Sequence, residues 1–301
     1  MHDVMTNVPQ LSIDCLDKGH VRLVDVMPRL AAEGGTTADF AIVQAARVSY
    51  GDGTKTVNED RGLIRYLMRH QHTTPMEMVE FKFHCKMPIF VARQWVRHRT
   101  VSLNEVSGRY SVLKDEFYLP DTDNIRQQSK TNKQGGDQQI DFDTAKDFLT
   151  HLDDISDKTY EVYTKYMEAG VSREQARMTL PVNLYTEWYW KINLHNLLHF
   201  LGLRCDSHAQ YEIRVFADAM LELIKPIVPF TVEAWEDYHH MRGAVKLTRL
   251  EIETLKKTIM ELASAAGADA SVVYGLSLES DNKREQAEWV DKAKKLGLEV
   301  K

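Results

Sequence analysis

Val79-Glu80-Phe81-Lys82-Phe83-His84-Cys85-Lys86 alternates apolar and polar side chains throughout, and Pro88 follows two residues later. An extended chain points successive side chains to opposite faces, so this stretch predicts a strand with one buried face. Proline suits the first turn of a helix, so Pro88 predicts a strand-to-helix junction, with the helix running to about His98. At about 100° per residue that helix gathers Arg93, Gln94, Arg97 and His98 into one polar arc, with Ile89, Ala92, Trp95 and Val96 largely opposite. The run continues Arg99-Thr100-Val101-Ser102-Leu103-Asn104-Glu105-Val106-Ser107-Gly108-Arg109-Tyr110. Four arginines, a histidine and a glutamine are thus crowded together in a chain of net charge -6. Guanidinium groups offer paired donors to phosphate oxygens, and Ser-Gly-Arg adds a hydroxyl, exposed N–H groups and a further guanidinium. The segment points to a focused anion site. A solvated charged face is the competing reading of the helix alone.

Composition narrows the field. The chain has 301 residues, 43% of them hydrophobic, which suffices for a substantial core in one domain or two. Its acidic balance argues against broad coating of nucleic acid, which needs an extended basic surface. Cys15, Cys85 and Cys205 are odd in number and far apart, with no Cys-x-x-Cys, so neither a disulfide framework nor a zinc site is indicated. No signal-peptide core or membrane-length apolar run occurs, so a soluble cytoplasmic protein without a membrane partner is expected.

Working outward, residues 1 to about 20 carry little pattern and are expected to form a loose arm. Val21 to Val26 predicts a strand. Asp39 to Val48 predicts a helix with Thr37 or Asp39 near its cap, and Asn58 to Arg69 a second with Asn58 as N-cap. Thr73-Thr74-Pro75 breaks the chain. Residues 121–140, polar and containing Gly135-Gly136, predict an exposed loop or insertion. Phe142 to Ala169 reads as a long amphipathic helix ended by Gly170. Ser172 is placed to cap a short helix through Met178, stopped before Pro181. Leu184 to Ile192 predicts an aromatic-rich strand. Asn193 to Arg204 and His208 to Ile227 read as helices, followed by a short one near Val232 to His239. After about residue 242 the character changes. Ile252, Leu255, Ile259 and Leu262 form one helical stripe amid charge, and Asp281 to Leu296 predicts another short helix. Residues 243–301 are read as a helical C-terminal extension.

Other candidate chemistry is thin. His70 and His72 lie two apart without an evident third metal ligand. His195 and His199 are spaced for zinc on a helix, but the glutamate of a His-Glu-x-x-His site is missing. Asn193 and Arg204 fall almost on one face of that helix and the two histidines on another, an arrangement suited to an interface between subunits. There is no nucleophile beside a base, no Gly-x-Ser-x-Gly, no Gly-x-Gly-x-x-Gly and no P-loop. A flavin or nicotinamide, if bound, is not held by a Rossmann fingerprint.

These residues resemble one family, the flavin-dependent thymidylate synthases. Its signature of Arg-His-Arg, seven residues, then Ser is met by Arg97-His98-Arg99 and Ser107. The resemblance extends to Ala46-Arg47-Val48-Ser49-Tyr50, His72-x-Thr74-Pro75-x-Glu77, Leu180-Pro181-x-Asn183-Leu184-Tyr185 and Leu203-Arg204-x-Asp206-Ser207-His208-Ala209-Gln210. It spans about residues 20–240. Met76-Glu77-Met78 stands where the family often has Phe-Glu-His. The stretch 121–140 and the tail after 242 lie outside the compact family core.

The resemblance implies an α+β fold, a central mixed or antiparallel sheet flanked by helices. It implies a catalytic domain over 21–242 and a homotetramer whose active sites are shared between subunits. It implies conversion of dUMP to dTMP, with 5,10-methylenetetrahydrofolate giving the carbon and FAD, reduced by NADPH, giving the hydride; no metal is implied. Carried over by position, Gln94, Trp95, Val96, Arg97, Glu105, Val106, Ser107, Gly108, Arg109, Arg177 and Arg204 line the dUMP site, with Ser107, Gly108 and Arg109 on the phosphate. Thr74, Arg97, His98, Arg99, Asn193, Leu194, His195 and His199 meet FAD, with Ser49, His72 and Asn104 as further flavin candidates. Arg204 corresponds to the residue that favours the ionised N3 of the uracil, electrostatic activation that needs no protein nucleophile.

Overall fold

The computed structural model describes residues 11–28, 37–48, 57–130, 135–240, 248–265, 272–273, 282–295 and 299–300. The chain divides into two compact units, Met1–His240 and Met241–Lys301. The first unit begins with β1 (Ser12–Cys15), β2 (Gly19–Met27), α1 (Asp39–Arg47), α2 (Val57–Arg69) and α3 (Thr74–Glu77). It continues with β3 (Glu80–Pro88), α4 (Ile89–Trp95), β4 (Ser102–Glu105), β5 (Arg126–Gln128), β6 (Gly136–Gln139) and α5 (Phe142–Glu168). It closes with α6 (Arg173–Ala176), β7 (Tyr185–Asn193), α7 (Leu194–Arg204), α8 (Tyr211–Ile224) and α9 (Pro229–Trp235). The second unit holds α10 (Arg249–Ala265), β8 (Val272–Val273), α11 (Lys283–Lys295) and β9 (Glu299–Val300), with β8 and β9 paired in parallel.

Among the described residues, five strands form one sheet in the order β1-β2-β3-β7-β4, and every pairing in it is antiparallel. The register explains why alternation in β3 was decisive. Phe83 lies opposite Trp190 and Cys85 opposite Trp188, all on the buried face, while His84 lies opposite Tyr189 on the other face. One face therefore carries Val21, Leu23, Phe81, Phe83, Trp188, Trp190 and Ile192 into the core. Against it lie Trp95 of α4, Leu197, Phe200 and Leu201 of α7, and Phe216 and Met220 of α8. Each such large side chain, fully buried, contributes roughly 1.5–3 kcal/mol. Trp95 is the keystone: its ring meets those of Trp188 and Trp190 edge-on at 5.4 Å and stacks on Phe200 at 5.1 Å.

Several local expectations are corrected. Residues 12–20 are not a loose arm, for β1 pairs with β2 from Ser12↔Arg22 to Cys15↔Gly19. Gly19 permits that hairpin, since a Cβ there would meet the carbonyl oxygens of Cys15 and Lys86 at 2.7 and 2.8 Å. Asp39 does not cap α1. It is buried and turns to α9, accepting from Phe230 N, Thr231 N and Thr231 Oγ1. Helix α2 starts at Val57, so Asn58 lies inside its first turn. The stretch 121–140 contains the β5–β6 ribbon. Helix α4 ends at Trp95, not His98. Continuing it would set Arg93 and Arg97 one turn apart with like charge, and the buried Trp95 fixes its last turn.

Candidate active site

Helix α7 is bounded as its sequence dictates. Asn193 is its N-cap, with Oδ1 accepting from Asn196 N at 2.9 Å, and Arg204 is its last residue. At 1.5 Å per residue the two are about 16 Å apart along the axis. Sharing a face therefore does not bring them to one spot. Arg204 instead meets the turn after α4, where its Nε donates to His98 Nε2 at 3.1 Å. A guanidinium only donates, so His98 accepts at Nε2 and is neutral with its proton on Nδ1. Burial first, then the charges of Arg204 and His199, push the His98 pKa down to about 4. The His98 ring stands edge-on to Phe200 at 4.9 Å, so the aromatic core orients the imidazole that in turn holds Arg204.

The turn after β4 is built from the same chain on every side. Glu105 Oε1 accepts from Thr186 Oγ1 at 2.6 Å, and Val106 N donates to the Glu187 carbonyl at 2.9 Å, so β7 anchors its start. Ser107 Oγ accepts from Arg109 N, and the Ser107 carbonyl accepts from Tyr110 N and Ser111 N, which curls residues 107–111 into a compact turn. Arg109 Nε pairs with Glu174 Oε2 at 2.9 Å. Arg177, following α6, lies against the turn. A Cβ on Gly108 would sit 3.2 Å from its Cδ, so glycine lets the Arg177 stem pass close. Ser107, Gly108, Arg109 and Arg177 are thus neighbours.

Arg93, Arg97 and Arg99 are different. All three are exposed, and none makes a hydrogen bond or ion pair within the chain among the described residues. Gln94 is half-buried and donates from Nε2 to Gln210 Oε1. Asn104 lies exposed on β4, opposite Tyr189. His72 and Thr74 are exposed around the start of α3, His195 is half-buried, and His199 is exposed. Ser49 lies outside the described residues.

Two expected ligand contacts are corrected. Trp95 and Leu194 are each 0% exposed and belong to the core, so their side chains are not available to a nucleotide or a flavin. Their neighbours in sequence, Val96 and Asn193, are the ones that reach outward. Sequence reasoning missed Glu174, Thr186, Glu187 and Glu212, which carry no motif of their own. It noted Gln210 without giving it a part. Among the described residues no group of three or more His, Cys, Asp or Glu is placed to hold a metal, and no helix is long and apolar enough to cross a membrane.

With this geometry in view, comparison with known proteins is informative. A family model described as thymidylate synthase complementing protein matches residues 30–230. The chain is 52% identical over 295 residues to a flavin-dependent thymidylate synthase of Dictyostelium discoideum, covering 98% of this chain and 90% of that protein. It is 53% identical over 260 residues to a protein of the same name from Rickettsia bellii, covering 82% and 85%. The crystal structure of a UMP/dUMP methylase, PolB, from Streptomyces cacaoi, bound with 5-Br dUMP, superposes with a TM-score of 0.65 at 33% identity, covering 76% of this chain and 99% of that one.

Proposed function

The chain belongs to the family of the flavin-dependent thymidylate synthases, and from that premise we propose that it converts dUMP to dTMP with a bound FAD, 5,10-methylenetetrahydrofolate as carbon donor and NADPH as reductant. The observation that carries the reading is local. A neutral His98 holds Arg204, its neighbours Arg97 and Arg99, like Arg93, have no hydrogen-bond or ion-pair partner among the described residues, and a preformed Ser107–Arg109 turn follows in the same segment. Unpaired guanidinium groups in an acidic chain call for anionic ligands.

In this reading Ser107, Gly108 and Arg109 take the dUMP phosphate, with Arg177 beside them. Gln94, Val96, Glu105 and Val106 line the rest of the nucleotide site. Arg97 lies at the border with the flavin, which His98, Arg99, Thr74, Asn193, His195 and His199 meet, with His72, Asn104 and Ser49 further out. The donor set fits FAD: exposed arginines for its diphosphate, and amide and imidazole groups for its rings. When bound, the flavin supplies the hydride chemistry, and the protein positions and polarises. Arg204 does so electrostatically, its positive charge favouring the ionised N3 of the uracil and making C5 nucleophilic. His98 steers it by accepting from Nε. Burial supports chemistry without a protein nucleophile, for all three cysteines are buried, and it pushes the Cys15 thiol up to about 12 and the Cys85 thiol well above its ordinary range.

A homotetramer with shared sites belongs to the same proposal. It is supported by polar groups at the two separated ends of α7 and by arginines left open at the surface. The catalytic domain, expected over 21–242, is extended to take in β1 from Ser12, the tail from 243 is assigned to an appendage, and the location to the cytoplasm. The test is an absorption spectrum of the purified protein followed by assay of dTMP. A flavin spectrum that shifts on adding dUMP, with dTMP formed once folate and NADPH are present, is expected. A flavin-loaded protein that makes no dTMP would instead be a binding module.

A further inference from the structure

Four side chains run in single file to the edge of the proposed nucleotide site. Tyr118 Oη donates to Glu212 Oε1 at 3.3 Å, Gln210 Nε2 donates to Glu212 Oε2 at 2.7 Å, and Gln94 Nε2 donates to Gln210 Oε1. An amide has a donor at one end and an acceptor at the other, and its neighbours decide which way it points. The direction of this file is set at its inner end. Tyr118 is buried, and burial followed by the Glu212 charge raises its pKa, so the phenol keeps its proton and donates. A carboxylate only accepts, so Glu212 takes its second hydrogen bond from the Gln210 NH2. Gln210 must then turn its carbonyl to Gln94, and Gln94 must turn its NH2 to Gln210. The Gln94 Oε1 is the end of the file, and among the described residues it has no partner.

We propose that Glu212 and Gln210 are positioning residues that lock Gln94 with its carbonyl outward, so that the site offers the nucleotide a hydrogen-bond acceptor of fixed direction and selects a ligand with a donor at that point. The proposal rests on the placement of Gln94 at the nucleotide. Two groups of dUMP can supply the donor, the uracil N3–H and the sugar 3′-hydroxyl. Cytosine carries an acceptor at N3, and acceptor facing acceptor leaves both without a bond, a mismatch that discriminates far better than a change of size. If N3–H is the donor, Gln94 admits the protonated base and Arg204 acts on the same nitrogen once the proton has left.

Glu212→Gln tests the lock because it changes direction with little change of shape. Tyr118 still donates to the oxygen of the new amide, whose NH2 then faces Gln210. Gln210 and Gln94 each turn over, and a donor replaces the acceptor at the ligand. The measurement is the equilibrium affinity of the FAD-loaded full-length protein for dUMP, dCMP and the 3′-fluoro-2′,3′-dideoxy analogue of dUMP. In wild type dUMP is preferred over one of the two analogues by about tenfold or more, the cost of an unmet polar group. In Glu212→Gln that preference falls at least about fivefold, while Glu212→Asp, still acceptor-only, keeps it and FAD affinity is unchanged. A fall for dCMP identifies the N3–H, and a fall for the fluoro analogue identifies the hydroxyl. The lock is overturned if Glu212→Gln leaves both preferences in place, whether dUMP affinity drops or not, or if Glu212→Asp loses them as well. Gln94→Ala separates the two levels. If it leaves all three affinities at wild-type values, the placement of Gln94 fails and the lock fails with it.

Discussion

At the turn after β4, Glu105, Ser107 and Arg109 are each hydrogen-bonded within the chain, as is Arg177, which packs against the turn from beyond α6, whereas Arg93, Arg97 and Arg99, a few residues earlier than the turn, have no partner among the described residues. The two regions are one continuous segment with opposite strategies. The turn is ordered on folding, so the phosphate proposed for it would meet groups already in place, with little ordering cost falling on binding. The arginines keep their donors free for another molecule, and their ordering is deferred until it arrives. Among the free arginines, His98 has a third arrangement with Arg204: one is a cation, and the other is kept uncharged to accept from it.

The contrast can be broken most forcefully at Arg204. Arg204→Ala should lower turnover by about a thousandfold or more, as loss of a preorganised electrostatic group does, while bound FAD is retained. Steady-state dTMP formation beside the flavin spectrum checks this, and dTMP formation at the wild-type rate would remove Arg204 from the chemistry. On the preformed side, Ser107→Ala removes both the proposed phosphate donor and the Oγ that accepts from Arg109 N. Affinity for dUMP should weaken about tenfold with FAD affinity within about twofold, by titration of each ligand. Equal losses for both ligands would mean that the turn does not belong to the nucleotide alone. The smallest effect is expected from acid. The folded pKa of His98, about 4, lies below its ordinary 6.5, so the unfolded chain binds more protons between these values. The stability from neutral His98 is complete above about 6.5 and fades as pH falls towards 4. Thermal melts of wild type and His98→Gln should therefore converge over that window, because glutamine can accept from Arg204 but does not titrate. A gap that stays constant with pH would show that His98 is not the titrating partner.

Much of the scaffold was legible because it rests on periodicity. The alternation of Val79–Lys86 and of Leu184–Ile192 reports a sheet with one buried face, and that is how β3 and β7 lie. Asn193 announces α7 because an asparagine oxygen can accept the first free N–H of a helix. What sequence hid was whatever a distant residue decides. Asp39 has the chemistry of a cap for α1, yet α9 offers it three donors. Ser12–Cys15 has little pattern because an edge strand has only one neighbour to satisfy. In the candidate site, the charged residues of Arg97–Arg109 were readable as a cluster. Which of them are braced depends on Glu174, Thr186 and Glu187, far along the chain. Helical periodicity already set Trp95 opposite the polar arc, whereas Leu194 lies between the half-buried Asn193 and His195, and only tertiary packing shows that it points inward.

Strand β7 serves the site at both ends. Thr186 and Glu187 tether the turn after β4, and Asn193 starts the helix that ends in Arg204. It is also an inner strand, with β3 on one side and β4 on the other. Inner strands are the last part of a domain to open in native-state hydrogen exchange. The groups of the proposed site therefore hang from an element expected to be among the last to open. On warming, loss of activity and loss of the sheet are therefore expected to be a single event.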